Sequence, residues 1–146
     1  MIVYRIVAER YASKLVASGR SGRWNLSEEY IIYTASSRSL ATLELLVNRS
    51  GIHSDSQYKV MLLDIPDAYQ ECKLKNLPKN WRSFEEYPVL QAIGSNWYKT
   101  TKSLVLAVPS AVIPQENNFL INTRHGHFKE SVKLVGVEDY FWDHRL

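Results

Sequence analysis

Ser21-Gly22-Arg23-Trp24-Asn25, then Tyr30-Ile31-Ile32-Tyr33, then Leu40-Ala41-Thr42-Leu43-Glu44-Leu45-Leu46-Val47 is the stretch whose reading decides the fold. The first piece is a Gly-Arg-Trp turn. The second is β-branched and aromatic and reads as a short strand. The third reads as a helix with Leu40, Leu43 and Val47 on one face and Glu44 bordering it, one turn from Leu40. Serines of Thr34-Ala35-Ser36-Ser37 can cap that helix, and Asn48-Arg49-Ser50-Gly51 ends it. Three successive elements with tight connections can thus turn one arginine, one tyrosine and one carboxylate toward a common cleft.

Working outward, Ile2 to Val7 reads as a strand that carries Arg5 inside an apolar segment. Composition favours an edge charge there over a residue aimed into a polar site. Glu9 to Val16 has short helical character, with Tyr11, Leu15 and Val16 near one face. Ser18-Gly19-Arg20-Ser21-Gly22 is a loop whose glycines permit positive φ and close backbone approach. It is neither a Walker loop nor a GxGxxG fingerprint. Tyr58 to Ile65 reads as a strand closed by Pro66, and residues 67–82 as an irregular, exposed connection. Ser83-Phe84-Glu85-Glu86 has the form of a capping box; the helix it opens, running to about Tyr98, would bury Val89, Ile93 and Trp97. Leu104 to Val108 is a buried strand that delivers Ser110. Asn117-Asn118 reads as a turn, Phe119 to Asn122 as a short extended piece, and Val132 to Val137 as a last strand. Strands mixed irregularly with few helices predict an α+β fold in a single domain, residues 1–146.

The size and composition exclude several classes. With 146 residues the chain can bury a real core. Its 45% hydrophobic and 23% charged residues are ordinary for a globular protein. The net charge of +3 is spread rather than gathered into a basic stripe, which argues against direct DNA binding. Cys72 is the lone cysteine, so no internal disulfide forms, in keeping with a reducing compartment. Arg5 interrupts any leader-like apolar stretch, and no run approaches the roughly 20 apolar residues of a membrane span. The expectation is a cytoplasmic protein that does not enter the membrane. His125 and His127 lack nearby cysteines or clustered carboxylates, so no metal site is expected.

Together these residues resemble the RES-domain family, named for an arginine, a glutamate and a serine. The matching pieces run along nearly the whole chain: Val3-Tyr4-Arg5-Ile6, Gly22-Arg23-Trp24-Asn25, Tyr33-Thr34-Ala35 and Glu44. Gly94-Ser95-Asn96-Trp97, Val108-Pro109-Ser110-Ala111, Asn118 to Asn122 with His125, and Phe141 to Leu146 follow in order. Ser21 stands where the family often has a second glycine, Gly94-Ser95 replaces Gly-Asp, and His125-Gly126 replaces His-Pro.

The resemblance implies a fold similar to ADP-ribosyltransferases such as diphtheria toxin, with a split, mostly antiparallel β core and a cleft for NAD. It implies a toxin of a toxin–antitoxin pair that breaks the nicotinamide–ribose bond by phosphorolysis or hydrolysis. NAD is then a substrate rather than a cofactor, with inorganic phosphate as co-substrate in the first case. The implied partner is an Xre-like helix-turn-helix antitoxin that covers the site and makes the DNA contacts, in a toxin–antitoxin complex or with the toxin as a homodimer. Transfer of ADP-ribose to a macromolecule and a non-catalytic antitoxin-binding module stand as alternatives.

Residue by residue, Glu44 would stabilise the ribosyl cation and hold the ribose 2′-hydroxyl. Arg23 would hold pyrophosphate or ribose, since a guanidinium presents paired donors to phosphate oxygens. Arg5 would add a second phosphate contact, Tyr33 would stack on nicotinamide, and Ser110 would orient ribose or nucleophile without acting as a covalent nucleophile. Trp24 and Asn25 of the same turn, together with His125, complete the expected substrate contacts, although Trp24 also reads as packing.

Overall fold

A computed structural model describes residues 1–48 and 57–146. Seven strands form one sheet: β1 (Ile2–Ala8), β2 (Ile31–Ala35), β3 (Tyr58–Asp64), β4 (Gln70–Glu71), β5 (Val105–Pro109), β6 (Asn117–Asn122) and β7 (Lys133–Asp139). Their spatial order is β4-β5-β6-β2-β1-β3-β7. Only β4 and β5 run parallel; the other pairs are antiparallel. Among the described residues three helices accompany the sheet: α1 (Arg38–Asn48), α2 (Tyr87–Thr100) and the single turn α3 (Phe128–Ser131). The fold is α+β, and it is split as the resemblance implies.

The split is legible in the register. β1 pairs with β3 along all seven residues, and β2 pairs with β6 along all five. Between β1 and β2 the ladder is one pair long, Tyr4 opposite Ala35. An uninterrupted antiparallel ladder would set Arg5 against Thr34, Ile6 against Tyr33 and Val7 against Ile32, and the strands splay instead. β1 is therefore an interior strand, which overturns the edge-charge expectation for Arg5.

Side chains alternate across the strands, so each face has its own core. One face carries Val3, Ile32, Met61, Leu63, Val105, Phe119 and Ile121 beneath Ala12, Leu15 and Val132. The other carries Leu106, Val108 and Leu120 under α2, whose Leu90 and Trp97 pack with Trp24 and Trp81. On that same face Ala35, Leu40 and Ala41 dock α1 against Tyr4 and Ile6. The two long helices thus lie on one side of the sheet, flanking the split. Ser37 Oγ caps α1 by accepting from Leu40 N (3.0 Å), and Arg38 pairs with Glu138 of β7.

Several local expectations are corrected. Glu9–Tyr11 is a single 3-10 turn, and the chain beyond it stays irregular because Ala12, Leu15 and Ala17 are needed against the sheet, not along one helical stripe. Val47 is 63% exposed, and Ala41 takes the buried position beside Leu40. On α2 the buried stripe is Leu90, Gly94 and Trp97, leaving Val89 exposed. Asn117-Asn118 begins β6, paired with Pro109 and Val108, and is not a turn. Residues 67–82 are not simply exposed: they supply β4 and the buried Trp81. The helix stop at 49–51 lies outside the described residues.

One close approach fixes α2 on the sheet. A Cβ on Gly94 would lie 1.7 Å from the Trp24 carbonyl oxygen. No side chain fits that gap, so the turn must move if one is added. Gly94→Ala is expected to destabilise the protein by about 2–3 kcal/mol, read as a lowered midpoint in thermal or urea unfolding. An alanine variant as stable as the parent would show that α2 does not seat this closely against the turn.

Candidate functional site

The Gly22–Asn25 turn is bound to its surroundings by its inward-facing groups. Gly22 N donates to Asn25 O (3.1 Å), closing the turn. Tyr33 on β2 donates its hydroxyl to Asn25 Oδ1 (2.6 Å) and accepts from Trp24 N (3.1 Å). Asn25 Nδ2 donates to the carbonyls of Arg20 and Leu26, both at 2.9 Å. Gln91 of α2 donates to Gly22 O (2.9 Å). Trp24 packs on Trp81 with centroids 6.3 Å apart. Just beyond, buried Glu29 accepts from Leu26 N (2.8 Å) and from the Ser95 hydroxyl (2.6 Å), so the serine at this departure from the family pattern serves as a donor. Gly22 is tight against this network, since a Cβ there would sit 2.9 Å from both Tyr33 Oη and Asn25 Oδ1. Burial, opposed by the Trp24 N–H, holds the Tyr33 phenol well above its ordinary pKa. It stays a neutral donor.

With its neighbours turned inward, Arg23 is the side chain the turn presents outward. Its Nη1 donates to Arg82 O (3.0 Å), and its guanidinium lies 4.7 Å over the Tyr87 ring. Arg82 Nε donates in turn to Ala111 O (2.7 Å). The adjacent Ser110 donates to Glu44 Oε1 (2.7 Å). Three hydrogen bonds and one peptide link therefore run from the arginine of the turn, past Arg82 and the loop after β5, to the carboxylate on α1.

Arg23, Arg82, Ala111 and Glu44 border a cleft of about 1060 Å³ that opens at the split. Arg5, Ile6 and Val7 line it from β1, Tyr33 and Thr34 from β2, and Glu44 and Leu45 from α1. Arg82, Tyr87 and Ala111 close the far side. The charged lining, among the described residues, is four guanidiniums (Arg5, Arg20, Arg23, Arg82) and the one carboxylate of Glu44. With four positive groups against one negative, a cleft with low-dielectric walls concentrates its field on an anion. Arg5 Nη1 donates to Val16 O (3.1 Å), and burial lowers its pKa from the usual guanidinium value.

The structure thus brings Glu44, Arg23, Arg5 and Tyr33 to one cleft. Ser110 is fully buried behind its wall. Its Oγ donates to Glu44 and accepts from Val112 N (3.0 Å) and Ile113 N (3.1 Å), which uses its whole bonding capacity. Its hydroxyl thus faces Glu44 and the loop after β5, not the cleft where the sequence placed it. Trp24 and Asn25 border the cleft, but their side chains belong to the scaffold. His125 does not reach the cleft. β6 enters beside the cleft at Asn118 and carries the chain away from it, so His125 lines a separate hollow with His127, Tyr69 and Lys102. Arg82, Arg20 and Tyr87 were not singled out by the sequence. The available signal was Trp81-Arg82 placed directly before a Ser83 cap.

The RES domain family model matches residues 2–143. A protein named Toxin Res from Yersinia enterocolitica serotype O:8 / biotype 1B is 37% identical, covering all of this chain and 99% of that protein. Toxin Res from Photorhabdus laumondii subsp. laumondii is 31% identical over all of this chain and 97% of its own length. A protein named Prs ADP-ribosylating toxin, from Sphingobium sp. (strain YBL2), is 35% identical over 86% of this chain and 80% of its own length.

Tyr33→Phe tests the anchoring of the turn. It removes the acceptor of Trp24 N–H and the donor to Asn25 Oδ1, at a cost of about 1–3 kcal/mol. The urea midpoint should fall with the denaturant slope unchanged. An unmoved midpoint would take the hydroxyl out of this role.

Proposed function

The chain belongs to the RES domain family, and from that premise we propose that it is a toxin enzyme that destroys NAD at the nicotinamide–ribose bond, by hydrolysis or phosphorolysis. The observation that carries this reading is the Glu44 carboxylate, fixed by Ser110 in a cleft whose other charges, among the described residues, are four guanidiniums.

Nicotinamide in NAD is a pyridinium, so its departure requires no proton from the enzyme. An O-glycosidase needs a second carboxyl group to protonate the leaving oxygen; here one carboxylate suffices. As the C1′–N bond breaks, its electron pair neutralises the ring nitrogen and positive charge grows on the ribose. Glu44 stabilises that charge and accepts from the ribose 2′-hydroxyl. Arg23, with Arg82 beside it, holds the pyrophosphate, and the Tyr33 ring flanks the nicotinamide while its hydroxyl remains engaged in the turn. The new C1′–O bond forms to water, which loses a proton to solvent, or to a phosphate oxygen held by Arg5. Ser110 keeps Glu44 in position.

A second reading, ADP-ribose transfer to a macromolecule, is supported by the 35% identical relative named as an ADP-ribosylating toxin. It uses the same ribosyl cation with a side chain of the target as nucleophile. An Xre-like antitoxin covering the cleft, and carrying the DNA contacts, fits both readings. No helix among the described residues is long and apolar enough to cross a membrane.

Incubating the protein with NAD, with and without inorganic phosphate, should release nicotinamide in step with NAD loss. ADP-ribose 1″-phosphate marks phosphorolysis and free ADP-ribose hydrolysis. Label from adenine-labelled NAD that stays with protein or nucleic acid would move the conclusion to the second reading. Intact NAD in every arm, from demonstrably folded protein, would leave only a non-catalytic antitoxin-binding role.

Glu44→Gln keeps the side chain's size and its contact to Ser110 while removing the charge. Turnover should drop roughly 10²–10³-fold with the melting temperature little changed. Full activity in that variant would exclude Glu44 as the cation-stabilising group.

A further inference from the structure

Two residues beyond Arg82, which takes part in the hydrogen-bonded path beside the cleft, stands an unexplained aromatic. Phe84 is 80% exposed. It sits in a 3-10 turn, Phe84–Glu86, held by Ser83 Oγ accepting from Glu85 N (3.3 Å) and by Glu86 N donating to Ser83 O (3.0 Å). The turn leads without a break into α2, so the ring is mounted on a fixed backbone. Its centroid is 4.8 Å from that of Tyr87, which also carries the Arg23 guanidinium at 4.7 Å. Tyr87, Arg82 and Ser83 all line the cleft. Phe84 does not itself line the cleft, but its ring continues an Arg23–Tyr87–Phe84 stack outward from two residues that do.

A single exposed apolar side chain is ordinary on a protein surface. This one differs in its place along the ligand path. Glu44 fixes where the reacting ribose sits, and Arg23 with Arg82 fixes the pyrophosphate. The other half of a dinucleotide must continue beyond Arg82. Phe84 is two residues further on, at most about 7.6 Å from Arg82 between Cα atoms, within the span of one ribose.

We propose that Phe84 is the platform on which the adenine of NAD stacks, so that the enzyme prefers dinucleotides to nicotinamide mononucleotide. This rests on the NAD-cleaving reading and adds which half of the substrate gives affinity. A purine presents a π face to the ring regardless of its edge substituents, so stacking on Phe84 favours any purine dinucleotide. The exposed carboxylate of Glu85 and the half-buried one of Glu86 repel a phosphate but accept from an exocyclic amine, which suits the base end of the ligand.

The experiment compares kcat/KM for NAD and for nicotinamide mononucleotide in the parent, Phe84→Ala and Phe84→Trp. In the parent NAD should be clearly preferred. Phe84→Ala should reduce the NAD-to-mononucleotide ratio about tenfold, through KM for NAD, and Phe84→Trp should restore it. Equal use of both substrates by the parent, or an unchanged ratio in Phe84→Ala, overturns the platform. A parent that releases nicotinamide from neither substrate overturns the catalytic reading instead. Calorimetric binding of both nucleotides to the Glu44→Gln background then decides Phe84 separately: about tenfold weaker NAD binding on adding Phe84→Ala supports the platform, and unchanged NAD binding refutes it.

Discussion

Two strands that pair at one residue and then part are the constraint behind everything else in this molecule. β1 and β2 share a single residue pair, Tyr4 with Ala35, while each completes its ladder on the opposite side. Unpaired backbone amides and carbonyls cannot be buried dry without a penalty. The splayed stretch must therefore stay open to water or to a ligand that bonds in its place. A closed, well-packed sheet would leave no cleft, and a fully separated one would lose the common core. One pair holds the halves together. α1 secures the junction by packing Leu40 and Ala41 on Ala35, Tyr4 and Ile6.

The groups around the opening divide by what they spend their bonds on. Tyr33, Asn25, Glu29 and Gln91 use theirs to hold the turn at 22–26 against β2 and α2. Ser110 uses all of its own on Glu44 and two backbone amides. Arg23 and Arg82 each spend one donor on a carbonyl, and a guanidinium has five. The carbonyl contacts orient the planes and leave other N–H groups for an anion. Arginine serves better here than lysine, whose ammonium cannot be tethered at one atom and present a flat fork with the rest.

Much of this was legible in the sequence, and the limits have physical causes. Strands such as Ile2–Ala8 and Val105–Pro109 are short apolar runs bounded by breakers, and α1 announces itself by its serine cap and amphipathic pattern. The Gly-Arg-Trp turn, Tyr33 and Glu44 were readable as one group because three adjacent elements carry them. Arg82 was not. It lies in a stretch of mixed polarity, and its role follows from a backbone carbonyl and a long-range contact with Ala111 that no local pattern encodes. His125 fails for a related reason: motif order along the chain does not say at which end of β6 a residue emerges. The α2 stripe shifted by one residue because Gly94, which has no apolar side chain to register, is the position pressed against Trp24.

That close approach connects stability to chemistry. Groups that stabilise a developing charge contribute most when their positions are fixed before the reaction begins, and an ångström of misplacement can cost two orders of magnitude in rate. Glu44 stands on α1, Arg23 on a turn, Arg82 just before α2 and Ser110 after β5, so no single element holds them in register. The register comes from packing at one remove: α2 seated on the Trp24 carbonyl through Gly94, Trp24 stacked on Trp81, and Trp81 adjacent in the chain to Arg82. Loosening that inward layer displaces Arg23 and Arg82 together relative to Glu44. The residues of the inward layer thereby set the distances between the outward ones.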